Sequence, residues 1–297
     1  MLVSSKDHVY QMDKNATPSL AVALPARLTF ETLDCFAGQL KSETDLLESL
    51  DFDHVNPATG PVFFEDVNPG DILKVHIADI RCKSPGIMVA APDAGLLGHL
   101  VQESQTILVP FDKDTVNVLG IPLKPNPMIG VIGLAPSGDP ISCGTPGSHG
   151  GNMDNTLIAP GTTLFLPVQV EGALLAMGDL HVCMGDGEIM VSGVEVNGEV
   201  DVAVNKVTLP LTNPVIVTDT VVATIASADT LDAALDRATS DMANILVETG
   251  ELSINEAGML MSACGNAQIC QAVDPQKTIR FSMPRSVMKR LGVPLAF

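Results

Sequence analysis

Apolar and polar residues alternate through much of the first two-thirds of the chain. In DILKVHIADI, Leu73, Val75 and Ile77 alternate with Lys74 and His76, the period-two pattern of a strand with one face in a core. His76 is therefore predicted to face solvent. GVEVNGEVDVAV keeps the same period across Asn197 and Gly198 and predicts a hairpin, because Gly tolerates the positive φ of a tight turn. A loop of odd length with Gly198 at a bulge holds Val194 and Val200 on one face, and is preferred to a strict two-residue loop. Aromatic residues make up only 3%, while 25 Gly and 21 Pro divide the region into short apolar segments. That punctuation is expected of a β-rich body.

The period changes after about residue 215. Leu231, Ala234, Leu235, Ala238, Met242, Ile245 and Leu246 recur at helical spacing, with Asp229 or Thr230 as the cap and Gly250 as the stop. A second helix is predicted from Ser253, where Ser-Ile-Asn-Glu forms a capping box with Glu256. Ala257, Leu260, Met261 and Cys264 supply its apolar stripe. TIRFSM closes the pattern as a strand alternating Ile279, Phe281 and Met283. The expected architecture is a sandwich-like or barrel-like β-rich body over residues 1–214, carrying the functional site, with an α+β part over 215–297 packed on it.

At 297 residues, with 46% hydrophobic and 17% charged positions, the chain can bury a large core and is not of disordered composition. No run approaches the roughly 18 apolar residues of a membrane span. The opening MLVSSKDHVYQMDKN lacks the basic start and apolar middle of a secretory signal, so the cytoplasm is the expected compartment. Six scattered cysteines show neither zinc-ribbon nor redox spacing and are expected to be reduced thiols. A formal charge of −19 excludes a basic stripe and argues against nucleic acid or anionic lipid as partners. A neutral small molecule is nearly indifferent to that field.

Three polar constellations could carry chemistry. In GDLHVCMGDGE, Asp179 and His181 fall on the same strand face as Leu175 and Met177, where an unpaired charge would cost several kcal/mol. Asp-x-His on one face suits two metal ligands, or one ligand and its orienting carboxylate. Gly185 and Gly187 allow a turn that returns Asp186 and Glu188 to the same neighbourhood. A buried Asp–His pair without function is the alternative. GTPGSHGGNMD reads as a Gly-rich site loop carrying His149, Asn152 and Asp154, or as a plain turn with a solvated His. In ETLDCFAGQ, Asp34 is either a ligand or acid/base group, or a loop-capping carboxylate. A cysteine nucleophile would have to be Cys143 or Cys183 with a Lys such as Lys124, but neither thiol has cationic sequence neighbours to activate it.

The segments ETLDCFAGQL, NPATGPVFFE, NPGDILKV, GVIGLAP, GTPGSHGGNMD, LFLPVQVEGALLAMGDLHVCMGDGE, TIASADTLDAAL and QICQAVDP resemble, in order, the acetamidase/formamidase family. The likeness runs from about Val3 to Pro284. Small departures are Cys183 and Met184 in the Asp-x-His segment, and Ala37 where the family commonly has Gly. The resemblance implies hydrolysis of short amides with a divalent ion, zinc foremost, on a β-rich fold in homodimers or larger homo-oligomers. Carried onto this chain, it makes His149, Asp179 and His181 the expected metal ligands. Asp34 and Glu188 are expected to complete the shell or move protons, and the ion with Asn152 or backbone amides to stabilise the oxyanion. Rival expectations are a metal-independent cysteine amidase and a small-molecule or metal-binding β module without turnover.

Overall fold

In the computed structural model, which describes residues 1–296, two nine-stranded sheets form the scaffold. Neither closes into a barrel. The first sheet runs through Ala26–Thr32, Gly198–Val207, Ile72–Cys82 and Thr163–Pro167, then continues through Val215–Val217, Val221–Ala228, Lys277–Pro284 and Asn266–Gln271. It crosses residue 214 without a break, so the C-terminal strands extend the sheet of the body. The second sheet centres on Leu175–His181, which pairs antiparallel with Met128–Gly133, with Ala58–Phe64 and with Glu195–Val196.

The largest core lies between the sheets, where Phe30, Val75, Ile77 and Val200 of the first meet Ile129, Ile132 and Met177 of the second. Each such side chain contributes about 1.5 to 3 kcal/mol by leaving water. The DILKVHIADI alternation is observed: Leu73, Val75 and Ile77 are buried. His76 is half-buried, with its Nδ1 3.1 Å from Thr163 Oγ1.

Helix α1 (Leu231–Gly250) is capped by Thr230, whose side chain accepts from Ala233 N–H, and Glu251 ends it in the left-handed region. Helix α2 (Ile254–Cys264) starts with both halves of the Ser253–Glu256 capping box. Ala234, Ala238 and Met242 of α1 pack with Val222, Ala226, Ile279 and Phe281 in a second core. No helix among the described residues is long and apolar enough to cross a membrane.

The hairpin expected at Asn197 and Gly198 is not formed. Glu195–Val196 belongs to the second sheet, whereas Gly198–Val207 lies in the first between Ala26–Thr32 and Ile72–Cys82. Asn197 is a corner where the chain changes sheet, and its carbonyl accepts from Lys83 N–H. Val196 and Val200 are both buried because the two sheets share one core. A Cβ on Gly198 would stand 2.5 Å from Arg81 O, so close backbone approach, and not a turn, calls for glycine there.

Candidate active site

The strand Leu175–His181 is buried at every position, so its polar residues have no path to water along the strand. Asp179 is 3% exposed and His181 1%. The pairings Ile129 with Leu180 and Val131 with Gly178 set Asp179 opposite Gly130. Asp154 reaches the same point from the loop after Gly150–Asn152: a Cβ on Gly130 would lie 2.5 Å from Asp154 Oδ1 and 2.6 Å from Asp179 Oδ2. Glycine leaves the room in which two carboxylates converge.

Glu188 and Glu195 complete the cluster, and both are buried. His181 Nε2 is 2.9 Å from Glu195 Oε1 and 3.4 Å from Asp179 Oδ1, while its Nδ1 is 3.8 Å from Asp154 Oδ1. Asp154, Asp179 and Glu188 all have positive φ, at 42°, 54° and 48°. Non-glycine residues avoid that region at a cost of about 1 to 3 kcal/mol each, and such strain gathers where side chains must be aimed.

The electrostatics are set by burial and by the mutual repulsion of the carboxylates around one imidazole. Burial, then Glu188, push the Asp154 carboxyl well above the usual range, and burial does the same for Glu188. Burial raises Glu195 to about 7. Burial also opposes ionisation of Asp179, but the His181 imidazole outweighs it and holds Asp179 low. Burial likewise disfavours a charged His181, yet Glu195 and Asp179 overcome this and raise it. Four buried carboxylates thus face one imidazole.

Their hydrogen bonding is incomplete. Both oxygens of Asp154, Asp179 Oδ1, Glu188 Oε2, Glu195 Oε2 and His181 Nε2 are buried without an aligned partner. Leaving such atoms bare costs about 1 to 3 kcal/mol each. Their donor types and convergence fit a divalent cation: one ligand atom from each of Asp154, His181 and Glu188 lies within 4.8 Å of the others, and the same holds for Cys35, Asp179 and Glu195.

A cavity of about 330 Å³ opens onto this cluster. Phe36, Leu47, Leu50, Phe52, Val55 and Val89 line its apolar side, and Asn152, Asp179, Glu188, Glu195 and Asp274 its polar end. Asn152 Nδ2 donates to Asp274 at 3.0 Å. Burial, then Asp154, raise the Asp274 carboxyl well above its usual range.

The expected site residues are only partly brought together. Asp179, His181, Glu188 and Asn152 meet at the cavity or its buried edge. His149 lies elsewhere: Leu134 N–H donates to its carbonyl, whereas His181 pairs with Met128. Six residues of strand separate these points, about 20 Å. His149 lines a second cavity with Ser148, Gln169, Arg237 and Gln276. Asp34 does not line the active-site cavity; its Oδ1 accepts from Phe36 and Gly38 N–H at 3.0 Å each. Cys143 and Cys183 are also absent from the lining, and the thiol that lines it is Cys35. Sequence reasoning placed Asp154 on the site loop without giving it a role, and did not select Cys35, Glu195 or Asp274.

Comparison with known proteins is decisive at the family level. The acetamidase/formamidase family matches residues 14–143 and 141–289. The chain belongs to this family. An acetamidase of Bacillus halodurans is similar to it, with 47% identity over 99% of this chain and 100% of that one and a TM-score of 0.97. A Thermoanaerobacter tengcongensis protein described as a predicted acetamidase/formamidase is 46% identical over 98% of each chain, with a TM-score of 0.96. The acetamidase of Mycolicibacterium smegmatis is 34% identical over 143 residues, 44% of this chain and 34% of that one. The chain spans between 34% and 61% of the lengths of the curated relatives it matches.

Proposed function

We propose that this acetamidase/formamidase family member hydrolyses short aliphatic amides, formamide and acetamide, to the carboxylate and ammonia. The observation that carries the reading is the set of unpartnered, buried ligand atoms at the polar end of a small cavity with an apolar side. About 330 Å³ suits a small neutral molecule. Formamide and acetamide differ by one methyl, worth about 1 to 3 kcal/mol in an apolar pocket, so both belong to the substrate class.

In this reading Asp154, His181 and Glu188 hold a divalent cation, zinc before others, with Asp179 beside them. The cation would supply Lewis-acid polarisation and acidify water. The protein's own groups do the rest. Phe36, Leu47 and Leu50 exclude bulk water from the amide. Asn152 gives its Nδ2 to Asp274, leaving Oδ1 as an unpartnered acceptor for an amide N–H. Asp274, biased toward the protonated form by burial, is the group that moves protons, and ammonia departs once its nitrogen is protonated. Asp34 holds the turn that presents Cys35 and Phe36. His149 has no part in this reading. Action in the cytoplasm as a homodimer or larger homo-oligomer completes the proposal.

The test is ammonia release by the intact protein across formamide, acetamide and longer amides. Turnover of the short members supports the assignment; binding without ammonia would identify a non-catalytic module instead. A cysteine amidase would be stopped by thiol alkylation and not by chelation. Its only cavity-lining thiol, Cys35, is driven well above its ordinary pKa by burial and then by Glu195 and Asp179, the opposite of an activated nucleophile.

A further inference from the structure

We propose that Cys35, Asp179 and Glu195 form a second cation subsite of mixed sulfur and oxygen donors, set beside the Asp154–His181–Glu188 group. The proposal rests on reading the latter group as a cation centre and extends it to two ions.

Geometry supplies the first argument. One ligand atom from each of the three residues lies within 4.8 Å of the others, and the residues are 8%, 3% and 2% exposed. Asp179 Oδ1 and Glu195 Oε2 are buried with no hydrogen-bond partner. Only one oxygen of Glu195 is engaged by a backbone donor, Gly193 N–H at 2.8 Å. Unpartnered carboxylate oxygens beside a thiol form an incomplete coordination shell, because a buried charge must find a counter-charge.

The imidazole between the groups supplies the second. His181 turns Nε2 toward Glu195 and Asp179, while its Nδ1 lies 2.8 Å from Met128 Sδ and 3.8 Å from Asp154 Oδ1. One ring therefore borders both groups, with a different nitrogen facing each. A single divalent ion would leave most of the charge of the four carboxylates and the Cys35 thiolate uncompensated, whereas two offset all but one negative charge.

The loop that carries Cys35 is held in place by its own sequence. Asp34 Oδ1 accepts from the N–H groups of Phe36 and Gly38, and Asn56 N–H donates to Cys35 O at 2.7 Å. Ala37 and Gly38 take the positive φ values of 55° and 71° that close the turn. Asp34 is thus a positioning residue for the thiol. Sulfur is a soft ligand, so this subsite favours zinc, cobalt or cadmium over magnesium or calcium. Ligation replaces the thiol proton, which leaves to solvent.

The experiment uses the full-length protein stripped of metal and titrated with cobalt(II). The proposal predicts two cobalt ions per chain by elemental analysis and a near-ultraviolet sulfur-to-cobalt charge-transfer band. Cys35→Ser should lose the band and one of the two ions. A measurement on the unsubstituted zinc-loaded protein guards against misfolding of the variant: X-ray absorption should show a zinc–sulfur distance of roughly 2.3 Å. Cobalt bound without the band, no zinc–sulfur shell, or a band that survives Cys35→Ser overturns the subsite. Ammonia release measured on the same samples keeps the two readings apart, since turnover with one sulfur-free ion per chain sinks this subsite alone.

Discussion

Gly130 faces Asp154 across the buried end of the active-site cavity, so close that a Cβ on Gly130 would stand 2.5 Å from Asp154 Oδ1. The missing side chain creates the site, because Asp179 approaches the same point from the neighbouring strand. Gly130→Ala is expected to push the two carboxylates apart. Overpacking should cost about 1 to 3 kcal/mol of stability, and displacement of the site should lower ammonia release about 100-fold. Denaturant unfolding and steady-state rates check the two effects separately; an Ala variant with undiminished turnover would show that this convergence is not needed.

His149 gives a pH dependence outside the active-site cluster. Burial lowers its pKa from 6.5 to about 4. The folded chain therefore refuses a proton that the unfolded chain accepts, and stability falls as pH drops from 6.5 through 4, then levels off. The full contribution is about 3 kcal/mol. Urea unfolding of wild type and His149→Gln across this window should show a shallower slope for the variant; equal slopes would count against the buried neutral imidazole.

Arg280 and Asp186 join the C-terminal strand Lys277–Pro284 to the loop that carries Glu188. Arg280 Nη2 donates to Asp186 Oδ2 at 2.5 Å and Nη1 to Asp186 Oδ1 at 3.0 Å. The arginine side chain is 3% exposed and the carboxylate 38%, so removing either partner has unequal consequences. Asp186→Ala removes the counter-charge of a buried guanidinium, which keeps Asn155 and Gln268 as neutral acceptors, and is expected to cost about 3 kcal/mol, whereas Arg280→Met frees a carboxylate that reaches water and should cost about 1 kcal/mol. Chemical denaturation of both variants checks the order.

Much of the fold was legible because burial of one face leaves a periodic trace. The strand at Leu73 to Ile77, both helices and the Ser253 capping box all follow from local chemistry. The corner at Asn197 was not legible, since alternation reports which face is buried and not which sheet a strand joins. The site divided the same way. Asp179 and His181 stood out as polar residues in an apolar run, but Asn152 and Asp274 meet across 122 positions of sequence. Glu195 lay hidden in a pattern of valines that predicts an outward carboxylate. Arg280 was concealed likewise: both faces of its strand are covered, so the alternation of Ile279, Phe281 and Met283 gave no reason to expect a buried guanidinium between them.

In the proposed mechanism the Asp154–His181–Glu188 cluster works only with a cation among its unpartnered ligand atoms. Dialysis of the purified protein against a strong chelator, with acetamide and formamide turnover followed before and after zinc is restored, tests it most directly. Ammonia production should vanish with the metal and return with zinc in wild type, but not in His181→Ala. Undiminished turnover in protein shown by elemental analysis to be metal-free would contradict the account.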